Sequence, residues 1–101
     1  MTEPLFCVLL HSDPLAQLHL SAYVHAHTPC RVVGIPRSRA DLEAVFAKTR
    51  VDLVICGGAF RQLGAKPLRA ELRRRGLRLL VLRHHNRPAS LGWLRQRIAR
   101  M

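Results

Sequence analysis

The sequence predicts an α/β fold, a doubly wound parallel sheet of about four strands with helices on both faces. Short apolar runs alternate along the chain with longer segments of helical periodicity. The runs are apolar at consecutive positions, which is typical of strands buried on both faces. Strands that alternate with helices favour a parallel sheet with right-handed crossovers. The 101 residues form one predicted domain, residues 1–101.

Four apolar runs are the predicted strands, and proline, glycine or a polar loop follows each of them. They are Leu5–Leu10, Arg31–Ile35, Val51–Cys56 and Leu77–Leu82. The first run is too short to cross a bilayer, which takes roughly 18 residues or more. It also lacks a basic leader, so it indicates a strand and not a signal peptide.

Capping residues mark the predicted helices. Asp13 and Pro14 suit the N-cap and first turn of a helix that ends near His27. Ser38 with an acid three residues later resembles a capping box at the start of the second helix. Pro67 starts the third helix, which Gly76 closes. The fourth helix is expected to begin at a Ser90 cap and to bury one stripe, made of Leu91, Leu94, Ile98 and Met101.

The first helix has two apolar rows. Leu15, Leu18 and Ala22 form one row, and Leu20 and Val24 belong to the other. In the second helix, a single face carries the apolar residues Leu42, Val45 and Phe46.

The excess of positive charge lies entirely in residues 61–101. The formal net charge is +11; residues 1–60 hold five basic and five acidic side chains, and residues 61–101 hold twelve basic ones against a single glutamate. Codon bias towards arginine would not spare the first sixty residues. The asymmetry indicates an anionic partner, either nucleic acid, a nucleotide or an acidic protein surface.

Basic residues at helical spacing, together with one tryptophan, are the candidate binding residues for protein or an anionic ligand. They are Lys66, Arg69, Arg73, Arg74, Arg75, Trp93, Arg97 and Arg100. A tryptophan among arginines suits stacking on bases or a protein hot spot, and it equally suits packing on the flank of the core with its ring covered by arginine stems. A second group of polar residues follows the first and last strands, where doubly wound folds bind ligands. This predicted pocket rim consists of His11, Arg83, His84 and His85.

The chain resembles response-regulator receiver domains, which have the flavodoxin-like order of strands. VLLHSDPL (Val8 to Leu15) is similar to their first strand and following loop, DLEAVFAKTRVDLVICGG (Asp41 to Gly58) to their second helix and third strand, and LRLLVL to their fourth strand. The resemblance implies a strand order 2-1-3-4 with the fifth strand missing. It equates the last helix, with Trp93, with the fourth helix of receivers, which belongs to their usual signalling face.

The positions that carry receiver chemistry hold other residues here. His11 and Ser12 replace the pair of acids that hold Mg²⁺, Gly57 replaces the phospho-accepting aspartate, and Arg83 replaces the serine or threonine after the fourth strand. Hard cations need oxygen ligands, and an aspartyl phosphate needs a carboxylate nucleophile. The resemblance therefore implies a degenerate receiver that works without phosphorylation. Neither an enzymatic activity nor a cofactor is expected.

Two hypotheses about function follow. The first is a regulatory module that binds a protein partner, and the second is a binder of nucleic acid or an anionic nucleotide such as a cyclic dinucleotide. Strand 4 would be an unpaired edge, so either a homodimer through strand 4 or the last helix, or a tight complex with another protein, is also expected.

The cysteines and histidines indicate neither a disulfide framework nor a metal site. Three widely spaced cysteines favour a reducing compartment, so we expect a cytoplasmic protein with no membrane segment. His25, His27 and Cys30 offer three zinc donors at a spacing that no common zinc finger has, and histidines at a helix end are typical of a solvated terminus.

Overall fold

Strands and helices alternate in the structure as the sequence predicts. The structure, a computed structural model, describes residues 4–11, 13–57, 65–82 and 87–101, and for residues 65–68 the backbone alone. Its strands are β1 (Leu5–Leu10), β2 (Cys30–Gly34), β3 (Leu53–Gly57) and β4 (Arg78–Leu82). Its helices are α1 (Pro14–His27), α2 (Arg39–Lys48), α3 (Ala65–Arg74) and α4 (Pro88–Ala99).

The four strands form one parallel sheet in the order β2-β1-β3-β4, which confirms the predicted fold class and strand order. In the register of the central strands, Cys7 is paired with Leu53 and Ile55 with Leu80. Strand β1 has the predicted bounds, and the bounds of the other three strands differ from the predicted ones by at most two residues. Within the part of the chain that the structure describes, β2 and β4 are the edges of the sheet.

Side chains of successive strand residues point to opposite faces of the sheet, and each face has its own core. On one face, Leu9 and Ile55 pack with α1 and α4, and this face is called the α1/α4 face below. On the other, Leu10 and Val54 pack with α2 and α3, and this is the α2/α3 face. The consecutive apolar residues of the strands therefore serve two cores, because side chains alternate along a strand.

Helix α4 lies beside α1. The Tyr23 hydroxyl of α1 donates a hydrogen bond of 3.1 Å to the backbone oxygen of Leu91 in α4. The crossovers from β2 to β3 and from β3 to β4 run in the same direction across the sheet, and they place α2 and α3 on one face. A right-handed crossover that continued from β4 to a further strand in that direction would place its helix on the same α2/α3 face. The expectation that α4 matches the fourth helix of receivers is therefore wrong for its position.

The predicted helix starts are partly correct. The Asp13 carboxylate accepts a hydrogen bond from the backbone N–H of Leu15, and Ser38 accepts one from the N–H of Asp41, so both caps are confirmed. Gly76 has φ +73° after α3, a conformation that side chains disfavour, as the predicted helix end requires.

Two helices begin earlier than expected. α3 begins at Ala65, two residues before Pro67. α4 begins at Pro88 with Arg87 at the N-cap position, so Ser90 is inside the helix and the predicted Ser90 cap is wrong. Proline fits the first turn because its missing N–H has no partner there in any helix.

Only one of the two apolar rows of α1 is buried. Leu20 and Val24 are fully buried together with Ala16, whereas Leu15 is 75% exposed and Leu18 68% exposed. In α4, the expected stripe is buried except for Met101, which lies beyond the helix and is 38% exposed. No helix in the described ranges is long and apolar enough to span a membrane.

Candidate functional site

The imidazole of His11 lies against the backbone of Gly57. His11 follows β1 and Gly57 ends β3, and these neighbouring parallel strands finish at the same edge of the sheet. A Cβ atom at position 57 would overlap three ring atoms of His11. The space that a side chain at the end of β3 would occupy is therefore filled by the histidine ring.

Backbone contacts fix the orientation of His11. Its Nδ1 accepts a hydrogen bond of 3.0 Å from the backbone N–H of Asp13, and the Gln17 side chain donates to its backbone oxygen. The Asp13 carboxylate is engaged as the N-cap of α1. The described groups at this edge of the sheet are therefore an imidazole, a glycine backbone and a capping carboxylate, which do not make an oxygen-rich cation site.

The rest of the predicted pocket rim, Arg83, His84 and His85, lies outside the described residues, as does Ser12. Across the four described ranges, no group of three or more histidine, cysteine or acidic side chains is placed to hold a metal ion. His25 Nε2 accepts a hydrogen bond of 3.0 Å from the backbone N–H of Val32, so this nitrogen is engaged with β2.

The candidate basic residues of α3 point in two directions. Arg75 is directed towards α2, where its guanidinium lies 4.7 Å from the centre of the Phe46 ring and 3.6 Å from the Glu71 carboxylate. Arg39 of α2 also pairs with Glu71, whose side chain is nearly buried. Arg75 therefore joins α3 to α2 through a buried acid, which is a structural role.

Arg69 and Arg73 lie on the other side of α3. They are exposed and line a groove together with Leu72, Gly76, Leu77 and Leu79. We call it the α3–β4 groove; its volume is about 340 Å³. Arg74 is exposed at the end of α3, and Lys66 belongs to its first turn, where the backbone alone is described.

The candidate residues of α4 form a separate group. Trp93 is 41% exposed, and Arg97 and Arg100 follow it at a spacing that places all three on one side of the helix. Because α4 lies on the α1/α4 face and α3 on the α2/α3 face, the sheet separates the two sets of arginines. The candidate binding residues, which the sequence offers as one group, therefore belong to two separate basic surfaces.

The three cysteines are buried free thiols. A hydrogen bond with Cys30, and burial, raise the pKa of Cys7, and burial raises the pKa of Cys56. For Cys30, the hydrogen bond from Cys7 is the largest cause of a lowered pKa, and Thr28 adds to it against the effect of burial. Cys30 also lines a cavity of about 620 Å³ at the start of β2.

Two features of the structure are absent from the predictions made from the sequence, namely the α3–β4 groove and the contact between His11 and Gly57. The contact had a signal, since a glycine and a ring that end neighbouring parallel strands meet at one edge of the sheet. No sequence signal indicates the groove, because the groove is open only when α4 packs on the opposite face of the sheet.

The architecture is that of receiver domains. The structure is similar to the crystal structure of the non-phosphorylated receiver domain of the stress response regulator RcsB from Escherichia coli, with a TM-score of 0.67 over 90% of this chain and 73% of that chain. The two sequences are 17% identical, so the similarity confirms the receiver fold that the sequence resemblance implied. No protein-family model and no curated protein matches the sequence.

Proposed function

We propose that this chain is a pseudo-receiver, a regulatory protein-binding module whose activity does not depend on phosphorylation and which is not an enzyme. The observation that carries the proposal is the packing of His11 over Gly57. A receiver needs a carboxylate nucleophile at the end of β3, and here the residue has no side chain and no room for one.

Binding is the activity that remains for a receiver fold without its acidic pocket. The exposed groups suited to it are the arginines of α3 and the Trp93 surface of α4. Arginine and tryptophan are enriched among residues that dominate protein interfaces. We propose that the module is cytoplasmic. A homodimer through β4 or α4 also stays a prediction.

Affinity capture from the native cell lysate, with and without nuclease, tests the proposal. We expect specific protein partners to remain bound after nuclease treatment. We also expect their binding to weaken only moderately as salt rises, because interfaces with an apolar centre are less sensitive to screening than phosphate contacts.

The opposite result would support the alternative, binding of nucleic acid or an anionic nucleotide. In that case nuclease would release all captured material, or affinity for a nucleotide would fall log-linearly and steeply with salt. Either outcome would overturn the protein-binding proposal.

A further inference from the structure

Within the described ranges, no helix covers the strip of the α2/α3 face that lies beside α3 on the side of β4. In the sheet order β2-β1-β3-β4, each crossover that moves towards β4 places its helix on this face. A helix that continued the series would lie next to α3, over the β4 edge. α4, the helix that follows β4, packs on the opposite face instead.

Contacts of α3 define which of its sides is open. Glu71 and Arg75 are one turn apart and both contact α2 residues, so this side of α3 faces α2. At 100° per residue, Arg69 and Arg73 lie about 160° around the helix from that side. They therefore face the β4 edge, which is where the α3–β4 groove lies.

The groove has an apolar base and a basic margin. Leu72 is buried at its base, and Leu77 and Leu79 are partly buried against the same core. Val81 continues this half-buried surface along β4. The other lining residues among those that the structure describes are a glycine and two exposed arginines, and none of these described residues is acidic.

We propose that the α3–β4 groove binds an acidic amphipathic α-helix of a partner protein. The apolar side of that helix would cover Leu77, Leu79 and Val81, and its glutamates or aspartates would pair with Arg69 and Arg73. The groove lies where a third helix of the α2/α3 layer would pack, and neighbouring helices in such a layer lie about 8–10 Å apart.

A second copy of this chain does not supply such a helix. Helices α1 and α4 contain no acidic residue, α3 contains Glu71, which is engaged with two arginines, and α2 carries basic residues beside its acids. The net charge of +11 also disfavours a second copy as the occupant of this basic groove. The charge complementarity therefore favours a different protein.

The inference rests on the proposed function, and a defined peptide tests it separately. The probe is an 18-residue helical peptide with leucine on one face and glutamate elsewhere; the matched peptide has lysine in place of glutamate. Titration of the labelled protein, followed by amide NMR shifts, should place binding of the acidic peptide at α3 and β4. The lysine peptide should not bind there, because its charges face Arg69 and Arg73.

Two protein variants of equal charge give the control. In Arg69→Glu/Arg73→Glu, the affinity for the acidic peptide should fall by about tenfold or more, since charge pairs at an interface are reversed. In Arg97→Glu/Arg100→Glu, with the same change on the other face, it should fall by no more than about twofold, from the loss of long-range attraction.

An equal loss of affinity for the acidic peptide in both double variants would mean that binding is unspecific charge attraction, and it would overturn the inference. So would binding of the lysine peptide to the groove, or shifts located away from α3 and β4. A native partner that is captured by the α3 variant and lost by Trp93→Ala would leave the proposed function standing and move its surface to α4. If nuclease treatment released all captured material while the acidic peptide still bound at α3 and β4, the proposed function would fall and the groove would still be a site for acidic helices.

Discussion

The ring of His11 and the backbone of Gly57 are complementary: the first fills the volume that the second leaves free. The two residues are far apart in sequence and come together because β1 and β3 are adjacent parallel strands. A change at either position therefore changes the packing of the other.

Gly57→Ala should destabilise the protein by about 1–3 kcal/mol, since the added methyl group collides with the imidazole and a packed region does not absorb extra volume freely. The double variant with His11→Ala should recover at least about 0.5 kcal/mol of that loss through coupling. Urea unfolding of the four proteins measures both quantities. Additive free energies of unfolding would contradict the contact.

Tyr23→Phe should lower the free energy of unfolding by about 0.5–1.5 kcal/mol, because the hydroxyl donates to the Leu91 backbone oxygen across the α1–α4 contact. Backbone amide exchange should increase in both helices. A variant with faster exchange in α1 alone would indicate that α4 does not pack there.

Glu71→Ala should destabilise by about 1–3 kcal/mol, since it removes a nearly buried carboxylate from Arg39 and Arg75. Glu43→Ala is the control, because its pair with Arg39 is exposed and should change stability by less than about 1 kcal/mol. Thermal and urea unfolding measure both. Similar losses for the two variants would show that Glu71 has no special role.

The two apolar rows of α1 should respond differently to truncation. Leu20→Ala should cost about 2–5 kcal/mol, because the side chain is fully buried. Leu18→Ala should change the free energy of unfolding by no more than about 0.5 kcal/mol, since that leucine is mostly exposed. A large loss of stability in Leu18→Ala would contradict the assignment of the Leu20 row to the core.

Alkylation of Cys30 should depend on Cys7. The Cys7 hydrogen bond stabilises the Cys30 thiolate and lowers its pKa, so Cys7→Ala should raise that pKa and move the alkylation profile of Cys30 to higher pH. Iodoacetamide labelling at a series of pH values, read by mass spectrometry, measures the shift. Cys56→Ala should leave the Cys30 profile in place, and an equal shift in both variants would refute the coupling.

Local signals predicted most of the fold. Apolar runs specify buried strands by themselves, and Asp13, Ser38 and Gly76 end or begin helices through contacts within a few residues. The predicted start of α4 at Ser90 is wrong, although the true start at Pro88 has an equally local signal, a proline in the first turn of the helix.

The candidate site was less accessible to sequence reasoning. The spacing of Trp93 and Arg97 gives the side of a helix but not the face of the sheet on which that helix packs. Crossover handedness settles that face for α1, α2 and α3, because each leads to another strand, whereas α4 follows the last described strand. The sequence therefore offers the candidate binding residues as one group, and the fold divides them between two faces.

This separation affects how an anionic molecule approaches the protein. Long-range attraction from a charge of +11 accelerates collisions, but guanidinium groups above and below the sheet draw the incoming molecule to either side. Encounter is thus rapid without being oriented. Discrimination between the sides must come after first contact, from short-range fit to leucines on one side or to an indole on the other.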